Sequence, residues 1–173
     1  MLKKFTPHMY QKDIYNIDYD RLKEENIKCI LFDLDNTISP AREIVLDKNI
    51  KKMIDKLKKD FIIVLFSNNK KRRVNEFASF YNTEFLHMSV KPLPFSYKKI
   101  LKKYNLTKKE VIAVGDQLIT DIFGGNLFGI KTILVDPVSK EDEKITFINR
   151  KLEEIIFNNF KKKNILVKGR YYE

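Results

Sequence analysis

Short uninterrupted apolar runs alternate along the chain with segments whose apolar residues recur at helical spacing, and this alternation constrains the fold most. The runs predict buried strands at residues 28–33, 61–66, 84–88, 111–114 and 132–135. Spacings of three and four residues predict helices between them, as at residues 47–59 and 70–81. Strands that are apolar on both faces and separated by helices are typical of a parallel sheet covered on both sides. The sequence therefore predicts a three-layer α/β/α sandwich with a parallel, Rossmann-like sheet.

The segments that flank this alternation are less strongly determined. Residues 1–26 are polar and aromatic with a predicted short helix at 19–26, and we expect them to lie across the sheet or to rest on a membrane surface. A last helix is predicted at 141–160, followed by a basic tail at 161–173. A chain of 173 residues is most simply one domain, with its core at about 28–136.

The net charge of +11, from 34 basic and 23 acidic residues, has two explanations. It could serve an anionic partner such as nucleic acid, an acidic lipid surface or a phosphorylated substrate. However, only six of the basic residues are Arg, and the chain is also rich in Ile and Asn. A coding bias toward Lys, Ile and Asn would produce the same charge without a function, so both explanations stay open.

Several features favour a cytoplasmic protein. No apolar run approaches the roughly 20 residues that a membrane-spanning helix needs. The first residues, Met-Leu-Lys-Lys-Phe-Thr-Pro-His, lack the apolar core of a secretory signal. Cys29 is the only cysteine, which rules out an intrachain disulfide and suits a reducing compartment. Peripheral binding at the inner face of the membrane is left open.

Polar side chains follow four of the predicted strands. In chain order they are Asp33 with Asp35, Ser67 with Asn68, Lys91, and Asp116 with Asp121. Each has an ordinary structural explanation when taken alone, such as a solvated turn, a helix cap or an exposed lysine before a proline. Because the carboxyl ends of parallel strands meet at one edge of a sheet, we expect the four clusters to share one crevice.

The first cluster indicates a metal site. Asp33 and Asp35 are two residues apart where a strand turns, so both carboxylates can face the crevice. Negative charges held this close need a compensating cation or a shared proton. Mg²⁺ is a hard cation that prefers oxygen ligands of this kind. The alternative is an Asp/Asn turn whose acids are merely solvated.

The order of these motifs resembles the haloacid dehalogenase (HAD) superfamily. The motifs are Asp-Leu-Asp-Asn-Thr at 33–37, Ser67, Lys91 and Gly-Asp-Gln-Leu-Ile-Thr-Asp at 115–121. The first and last of them, with no insertion between, resemble the YqeG-like subgroup of class IIIA phosphatases, whose relatives dephosphorylate phosphatidylglycerophosphate. The resemblance implies a HAD-like fold and a Mg²⁺-dependent phosphomonoesterase.

The resemblance also implies catalytic and metal-binding roles. Asp33 would attack phosphorus and form an aspartyl-phosphate. Asp35 would protonate the leaving alkoxide and then deprotonate the water that hydrolyses the intermediate. Mg²⁺ would be held by Asp33, Asp116 and the main-chain carbonyl of Asp35.

Other residues would contact the phosphoryl group or support the site. Ser67, Asn68 and Lys91 are the residues implied for substrate binding, and Ser67 and Lys91 would also assist catalysis. Asp121 would hold Lys91 or a metal-bound water. Many phosphatases of the superfamily have Gly at the position of Asn36, but Asn also tolerates a left-handed backbone, so the turn remains feasible.

The spacing of the motifs leaves no room for a cap domain, which this superfamily inserts after the first motif or between the second and third. Only a short flap at 38–46 precedes the next predicted helix, and one helix and one strand fill residues 67–91. An uncapped site is open to large substrates. Together with the basic charge, this favours a phospholipid headgroup at an anionic membrane, with Arg42, Arg72 and Arg73 as candidate contacts to the lipid phosphate.

Two other functions stay open. The chain could act on soluble sugar or nucleotide monophosphates. Alternatively, it could be a non-enzymatic basic module for RNA or ribosomes, which predicts salt-sensitive binding that is independent of Mg²⁺ and of Asp33. No aromatic-interleaved RNA motif accompanies the charge, which argues against nucleic acid as the partner.

Overall fold

A computed structural model describes residues 2–139, 147–162 and 166–170 of the chain. Within these residues, parallel strands form one sheet in the order β1-β6-β5-β2-β3-β4. The strands are β1 (Met9–Gln11), β2 (Cys29–Phe32), β3 (Ile62–Phe66), β4 (Glu84–Leu86), β5 (Val111–Gly115) and β6 (Lys131–Val135). The α-helices are α1 (Tyr19–Glu24), α2 (Lys48–Leu57), α3 (Lys71–Tyr81), α4 (Phe95–Tyr104), α5 (Gly124–Phe128) and α6 (Phe147–Lys162). The predicted α/β class with a parallel sheet is confirmed.

The central strand β2 shows why both faces of the sheet are covered. Its four residues are all buried, and they alternate between two cores. Ile30 and Phe32 pack with the apolar sides of α2 and α3, whereas Cys29 and Leu31 pack with those of α4 and α5. Each fully buried side chain of the size of Ile, Leu or Phe contributes about 1.5–3 kcal/mol. The three layers predicted from the sequence follow from this alternation.

The N-terminal segment contributes a strand that the sequence did not predict. Met9–Gln11 pairs with β6 at the edge of the sheet, with Met9 opposite Ile133. Met9 is fully buried, and the Tyr10 hydroxyl donates to Asp136 Oδ1 at 2.7 Å. This part of residues 1–26 therefore extends the sheet. Three residues with one buried apolar side chain are too short to show a periodic signal.

The topology opens a crevice at the carboxyl ends of β2 and β5. From β2 the chain adds β3 and β4 on one side, and then β5 and β6 on the other. Ligands of such sheets bind where the strand order reverses. Residues 33–47 form a loop and residues 67–91 hold only α3, β4 and connecting loops, so the predicted absence of a cap is confirmed.

The C-terminal part agrees with the sequence where it is described. The helix predicted at 141–160 is observed as α6, and residues 140–146 lie outside the described part of the chain. Phe160 of α6 packs with Leu118 and Ile122. Of the predicted basic tail, residues 163–165 and 171–173 also lie outside the described residues. Among the described helices, none combines the length and the apolarity that crossing a bilayer requires.

Candidate active site

A buried cluster of three carboxylates lies at the crevice. Asp33, Asp116 and Asp121 each offer one carboxylate oxygen, and these oxygens lie within 4.8 Å of one another. Asp33 directly follows β2, and its N–H donates to the carbonyl of Val114 in β5 at 2.8 Å. Asp116 directly follows β5. The two strands that flank the reversal of strand order therefore hold two of the three acids.

Asp121 reaches the cluster from an irregular helical segment. Leu118–Phe123 forms a π-helical turn that continues into α5, and such turns occur frequently at functional sites. The Gln117 N–H donates to Asp121 Oδ2 at 3.2 Å. A Cβ atom on Gly115 would lie 2.2 Å from Asp121 Cγ. Only glycine at position 115 leaves space for this carboxylate.

Lys91 places its ammonium group between two of the acids. Its Nζ donates to Asp33 Oδ1 at 2.5 Å and to Asp121 Oδ1 at 2.7 Å, and its side chain is 3% exposed. Asn68 anchors the loop that carries Lys91, because Asn68 Oδ1 accepts from the Lys91 N–H at 2.7 Å and from the Ser89 hydroxyl at 2.8 Å. The lysine is thereby held against the carboxylates from both its backbone and its ammonium group.

Burial and charge shift the pKa values of this pair upward. Burial raises the pKa of Asp33 well above its usual range; Lys91 offsets only part of this rise, and the neighbouring carboxylates add to it. Burial acts to lower the pKa of Lys91, but the carboxylates of Asp121 and Asp33 outweigh it and hold that pKa above its ordinary value. The site thus disfavours additional negative charge unless another cation is present.

The donor set fits a divalent metal. With three carboxylates and one ammonium ionised, the cluster has a net charge of −2. Buried charge of this kind is costly unless it is compensated. Carboxylate oxygens are ligands of hard divalent cations, and the Thr37 hydroxyl orients the cluster by donating to Asp116 Oδ1 at 3.4 Å. A divalent cation would neutralise the excess charge.

The Asp35 carboxylate is held by donors from the segment that links β3 to α3 and from the first turn of α3. Arg73 Nε donates to Asp35 Oδ1 at 2.8 Å. The Ser67 hydroxyl and Asn69 Nδ2 donate to Asp35 Oδ2 at 3.3 and 3.2 Å. Arg73 Nη2 also donates to the Pro40 carbonyl at 2.8 Å, which ties the flap to α3. The orientation of Asp35 is therefore fixed by three side chains.

The structure arranges some predicted substrate contacts differently. Asn68 uses its amide to hold residues 89–91 through the bonds given above and through Nδ2, which donates to the Lys91 carbonyl at 3.1 Å. Arg73, a candidate lipid-phosphate contact, has a 14% exposed side chain bonded to Asp35. Ser67 contacts Asp35. Arg42 and Arg72 are exposed. These bonds do not support a direct substrate contact for Asn68 or Arg73.

Sequence reasoning missed how Arg73 and Asn69 support the site. Arg73 lies 38 residues from Asp35, and its charge in a basic stretch gives no sign of its partner. Asn68 and Asn69 are adjacent residues of the same type, so the sequence does not show that the Asn69 amide bonds to Asp35 and the Asn68 amide to Lys91. By contrast, the left-handed turn expected at Asn36 is confirmed, with φ of 63°. Asn36 Oδ1 accepts from the Ala41 N–H at 3.3 Å, a bond that glycine would lack.

Fold and site together define a hydrolase of the HAD class, and comparisons with known proteins agree. The HAD-hydrolase-like family model matches residues 89–160. The chain is 36% identical over 165 residues to the probable phosphatase YqeG of Bacillus subtilis, covering 94% of this chain and 96% of that protein. The chain belongs to the haloacid dehalogenase superfamily, within its YqeG-like subgroup. It is a HAD-type phosphatase.

Two further comparisons add detail. The chain is 28% identical over 159 residues to phosphatidylglycerophosphate phosphatase 1 of Arabidopsis thaliana, covering 86% of this chain and 45% of that protein. It therefore spans about half the length of that relative. The solved deoxy-D-mannose-octulosonate 8-phosphate phosphatase of Haemophilus influenzae matches with a TM-score of 0.50 and 14% identity, over 83% of this chain and 95% of that chain. This likeness concerns the fold alone.

Proposed function

We propose that the protein is a Mg²⁺-dependent phosphomonoesterase that forms an aspartyl-phosphate on Asp33, with phosphatidylglycerophosphate as its substrate. The observation that carries the chemistry is the 2.5 Å contact between Asp33 Oδ1 and Lys91 Nζ inside the carboxylate cluster. A carboxylate attacks an anionic phosphoryl group only when positive charge offsets their repulsion. Lys91 supplies such a charge beside the attacking atom.

The first half-reaction transfers the phosphoryl group to Asp33. One Asp33 carboxylate oxygen attacks phosphorus, and the bond from phosphorus to the leaving alkoxide breaks. Lys91 is positioned to donate to a phosphoryl oxygen as charge builds up there. Asp121 keeps the ammonium in place through its 2.7 Å bond. Asp35 enters this step in its protonated form, which the second half-reaction restores, and gives its proton to the leaving alkoxide.

The second half-reaction returns the enzyme to its starting state. The Asp35 carboxylate takes a proton from a water molecule, whose oxygen attacks phosphorus. The bond between phosphorus and the Asp33 oxygen then breaks, which releases inorganic phosphate and a free carboxylate. The bonds from Arg73, Ser67 and Asn69 support this role because they hold Asp35 in one orientation through both steps.

The same cluster supports a metal at Asp33 and Asp116, and the family resemblance adds the main-chain carbonyl of Asp35. Asp33, Asp116 and the main-chain carbonyl of Asp35 would hold Mg²⁺. When bound, Mg²⁺ neutralises phosphoryl charge and orients the group. With all three carboxylates and the Lys91 ammonium ionised, the net charge of −2 on the cluster supports a divalent cation over a monovalent one.

Three observations support a lipid substrate. The phosphatidylglycerophosphate phosphatase of Arabidopsis thaliana aligns with 86% of this chain. No cap interrupts residues 33–47 or 67–91, so a headgroup that projects from a bilayer can reach the crevice. The net charge of +11 favours an anionic surface, where each nearby Lys or Arg contributes about 1 kcal/mol.

Phosphate release from phosphatidylglycerophosphate in mixed micelles tests the proposal. We expect release by the wild type with Mg²⁺, loss after chelation with EDTA, and recovery when excess Mg²⁺ is added. Asp33→Asn keeps the size of the side chain but removes the nucleophile, so it should abolish release. Asp60→Asn is the matched control, because Asp60 pairs with Lys23 at the surface. Equal rates for Asp33→Asn and the wild type would remove Asp33 from the mechanism.

A soluble-substrate panel separates the chemistry from the substrate. Glycerol 3-phosphate, sugar phosphates and nucleoside monophosphates are assayed without detergent. We expect kcat/KM for phosphatidylglycerophosphate to exceed each of these by at least about tenfold, a difference of about 1.4 kcal/mol. A soluble phosphate with the higher kcat/KM would overturn the lipid assignment and leave the aspartyl-phosphate mechanism in place.

A further inference from the structure

Four large apolar side chains are exposed between the end of β4 and the first residue of α4. They are Met88, Val90, Leu93 and Phe95, with exposed fractions of 60%, 55%, 46% and 70%. We call these four residues the apolar rim. Single exposed apolar residues are ordinary, but several within eight residues indicate a surface that contacts an apolar partner. The rim includes neighbours of Lys91, so it borders the candidate active site.

Two residues of the rim have an energetically unfavourable backbone conformation. Met88 and Val90 have φ of 46° and 53°, in the left-handed region. A β-branched residue such as Val rarely adopts that conformation, and it persists only where surrounding bonds impose it. Here the Met88 N–H donates to the Asn69 carbonyl and the Ser89 N–H to the Ser67 carbonyl, both at 3.0 Å. Backbone hydrogen bonds thus connect the rim to the segment that follows β3 and contains Ser67 and Asn69.

An exposed basic cluster adjoins the rim. Asn69, which accepts the bond from Met88, is followed in the chain by Lys70, Lys71 and Arg72, all exposed. Among the described residues, none of these three pairs with an acidic side chain. Lys70 is the N-cap of α3, Lys71 and Arg72 are its first two residues, and the first turn contains no acidic residue. Cations near the positive end of a helix dipole are unfavourable, and an anionic surface opposite them would offset that cost.

The apolar and basic groups surround the same opening. β3 and β4 are parallel neighbours, so the segments that follow them lie at the carboxyl edge that holds Asp33. Residues 44–46 of the flap, which follows β2, add further exposed apolar side chains at that edge. Apolar side chains flanked by cations match an anionic bilayer, in which headgroup charge lies above acyl chains.

We propose that the apolar rim inserts into anionic phospholipid bilayers while Lys70, Lys71 and Arg72 contact the headgroups. This inference rests on the proposed function, since it explains how a headgroup phosphate would be presented to Asp33. It assigns membrane binding to particular residues outside the catalytic cluster. Binding should therefore be separable from turnover.

Vesicle co-sedimentation in EDTA tests the rim without any turnover. The vesicles contain phosphatidylglycerol with phosphatidylcholine, or phosphatidylcholine alone, and no phosphomonoester lipid. We expect the wild type to bind the anionic vesicles and to be released as salt screens the headgroups over a Debye length of about 10 Å at 0.1 M. Met88→Asn with Phe95→Ser should weaken binding at least about tenfold, since two apolar side chains no longer partition. Asn keeps the left-handed conformation at position 88 accessible.

The control is Leu127→Ser, because Leu127 is 55% exposed in α5, shortly before β6 begins, at the opposite edge of the sheet. This variant should bind vesicles like the wild type. Hydrolysis of p-nitrophenyl phosphate should be unchanged in every variant, which verifies that the folded site is intact. Normal binding by the rim variant would overturn the inference. Failure of the wild type to bind anionic vesicles would also overturn it. If the wild type were a dimer and the rim variant a monomer, the rim would be assigned to self-association instead.

The experiments distinguish an error in the proposed membrane binding by the rim from an error in the proposed lipid substrate. A protein that binds vesicles through the rim yet hydrolyses only soluble phosphates contradicts the lipid substrate alone. A protein that hydrolyses phosphatidylglycerophosphate in micelles but shows no rim-dependent binding contradicts the rim alone.

Discussion

Replacing Arg73 with Ala tests whether the bonds to Asp35 serve catalysis. The substitution removes the 2.8 Å bond to Asp35 Oδ1 and the 2.8 Å bond to the Pro40 carbonyl. Ser67 and Asn69 remain, but both contact Oδ2 at 3.2 Å or more. Asp35 then has freedom to rotate away from the leaving group. We expect kcat to fall while KM for a small substrate stays within about twofold.

The structure sets the size of this effect. The side chains of Arg73 and Asp35 are 14% and 19% exposed, so solvent screens their attraction only in part. A hydrogen bond to a charged group contributes about 1.5–3 kcal/mol. If the bond acts in the transition state, its loss lowers kcat about tenfold to a hundredfold. Arg73→Lys should lose less, because its ammonium restores charge but cannot bridge Asp35 and Pro40 as a guanidinium does.

The assay is steady-state hydrolysis of p-nitrophenyl phosphate with Mg²⁺. Arg21→Ala is the control, because it breaks an Arg–carboxylate bond of similar length, 2.9 Å from Arg21 to Glu25. Arg21 lies in α1, which leads into the end of β2 that is opposite to the active site. This control should keep the wild-type kcat. If Arg73→Ala and Arg21→Ala showed the same kcat, Asp35 would not need Arg73, and the proposed positioning would be wrong.

Two further predictions concern stability. Gly115→Ala should lower the free energy of unfolding in urea by about 1–3 kcal/mol and impair phosphatase activity, because its Cβ would lie 2.2 Å from Asp121 Cγ. An unfolding free energy and an activity equal to those of the wild type would refute this close contact between position 115 and Asp121. Burial acts to raise the pKa of Glu25, but bonds from Lys131 and Arg21 lower it to about 2. Because this folded-state pKa lies below the ordinary value of 4.5, Glu25 stabilises the fold above that pH, and the contribution is lost as the pH falls toward 2. Glu25→Gln should therefore cost about 1 kcal/mol at pH 7 and progressively less as the pH falls from 4.5 toward 2, whereas a cost that does not change with pH would contradict the prediction.

The parts of the fold that could be predicted are those with a strong local signal. β2 and β5 are buried on both faces, so each appears in the sequence as an apolar run that stops at an acid. Parallel pairing then brings Asp33 and Asp116 to one edge without further information. Lys91 could be placed near them because it follows β4 in the same sheet.

The parts that escaped prediction depend on contacts between distant residues. β1 is a strand because β6 offers a free edge, and nothing within its three residues reports that partner. The bond from Arg73 to Asp35 depends on where the first turn of α3 lies relative to the flap. The direction of the Asn68 amide, toward Lys91, is likewise a property of the assembled loops.

Chemical trapping of the intermediate tests the central mechanism most directly. The enzyme is mixed with substrate and Mg²⁺, quenched in acid, and treated with borohydride, which reduces an acyl phosphate on aspartate to homoserine. Peptide mass spectrometry then locates the modified residue. We expect homoserine at position 33, and none there in Asp33→Asn. Homoserine at another aspartate, or its absence during demonstrable turnover, would contradict the proposed role of Asp33.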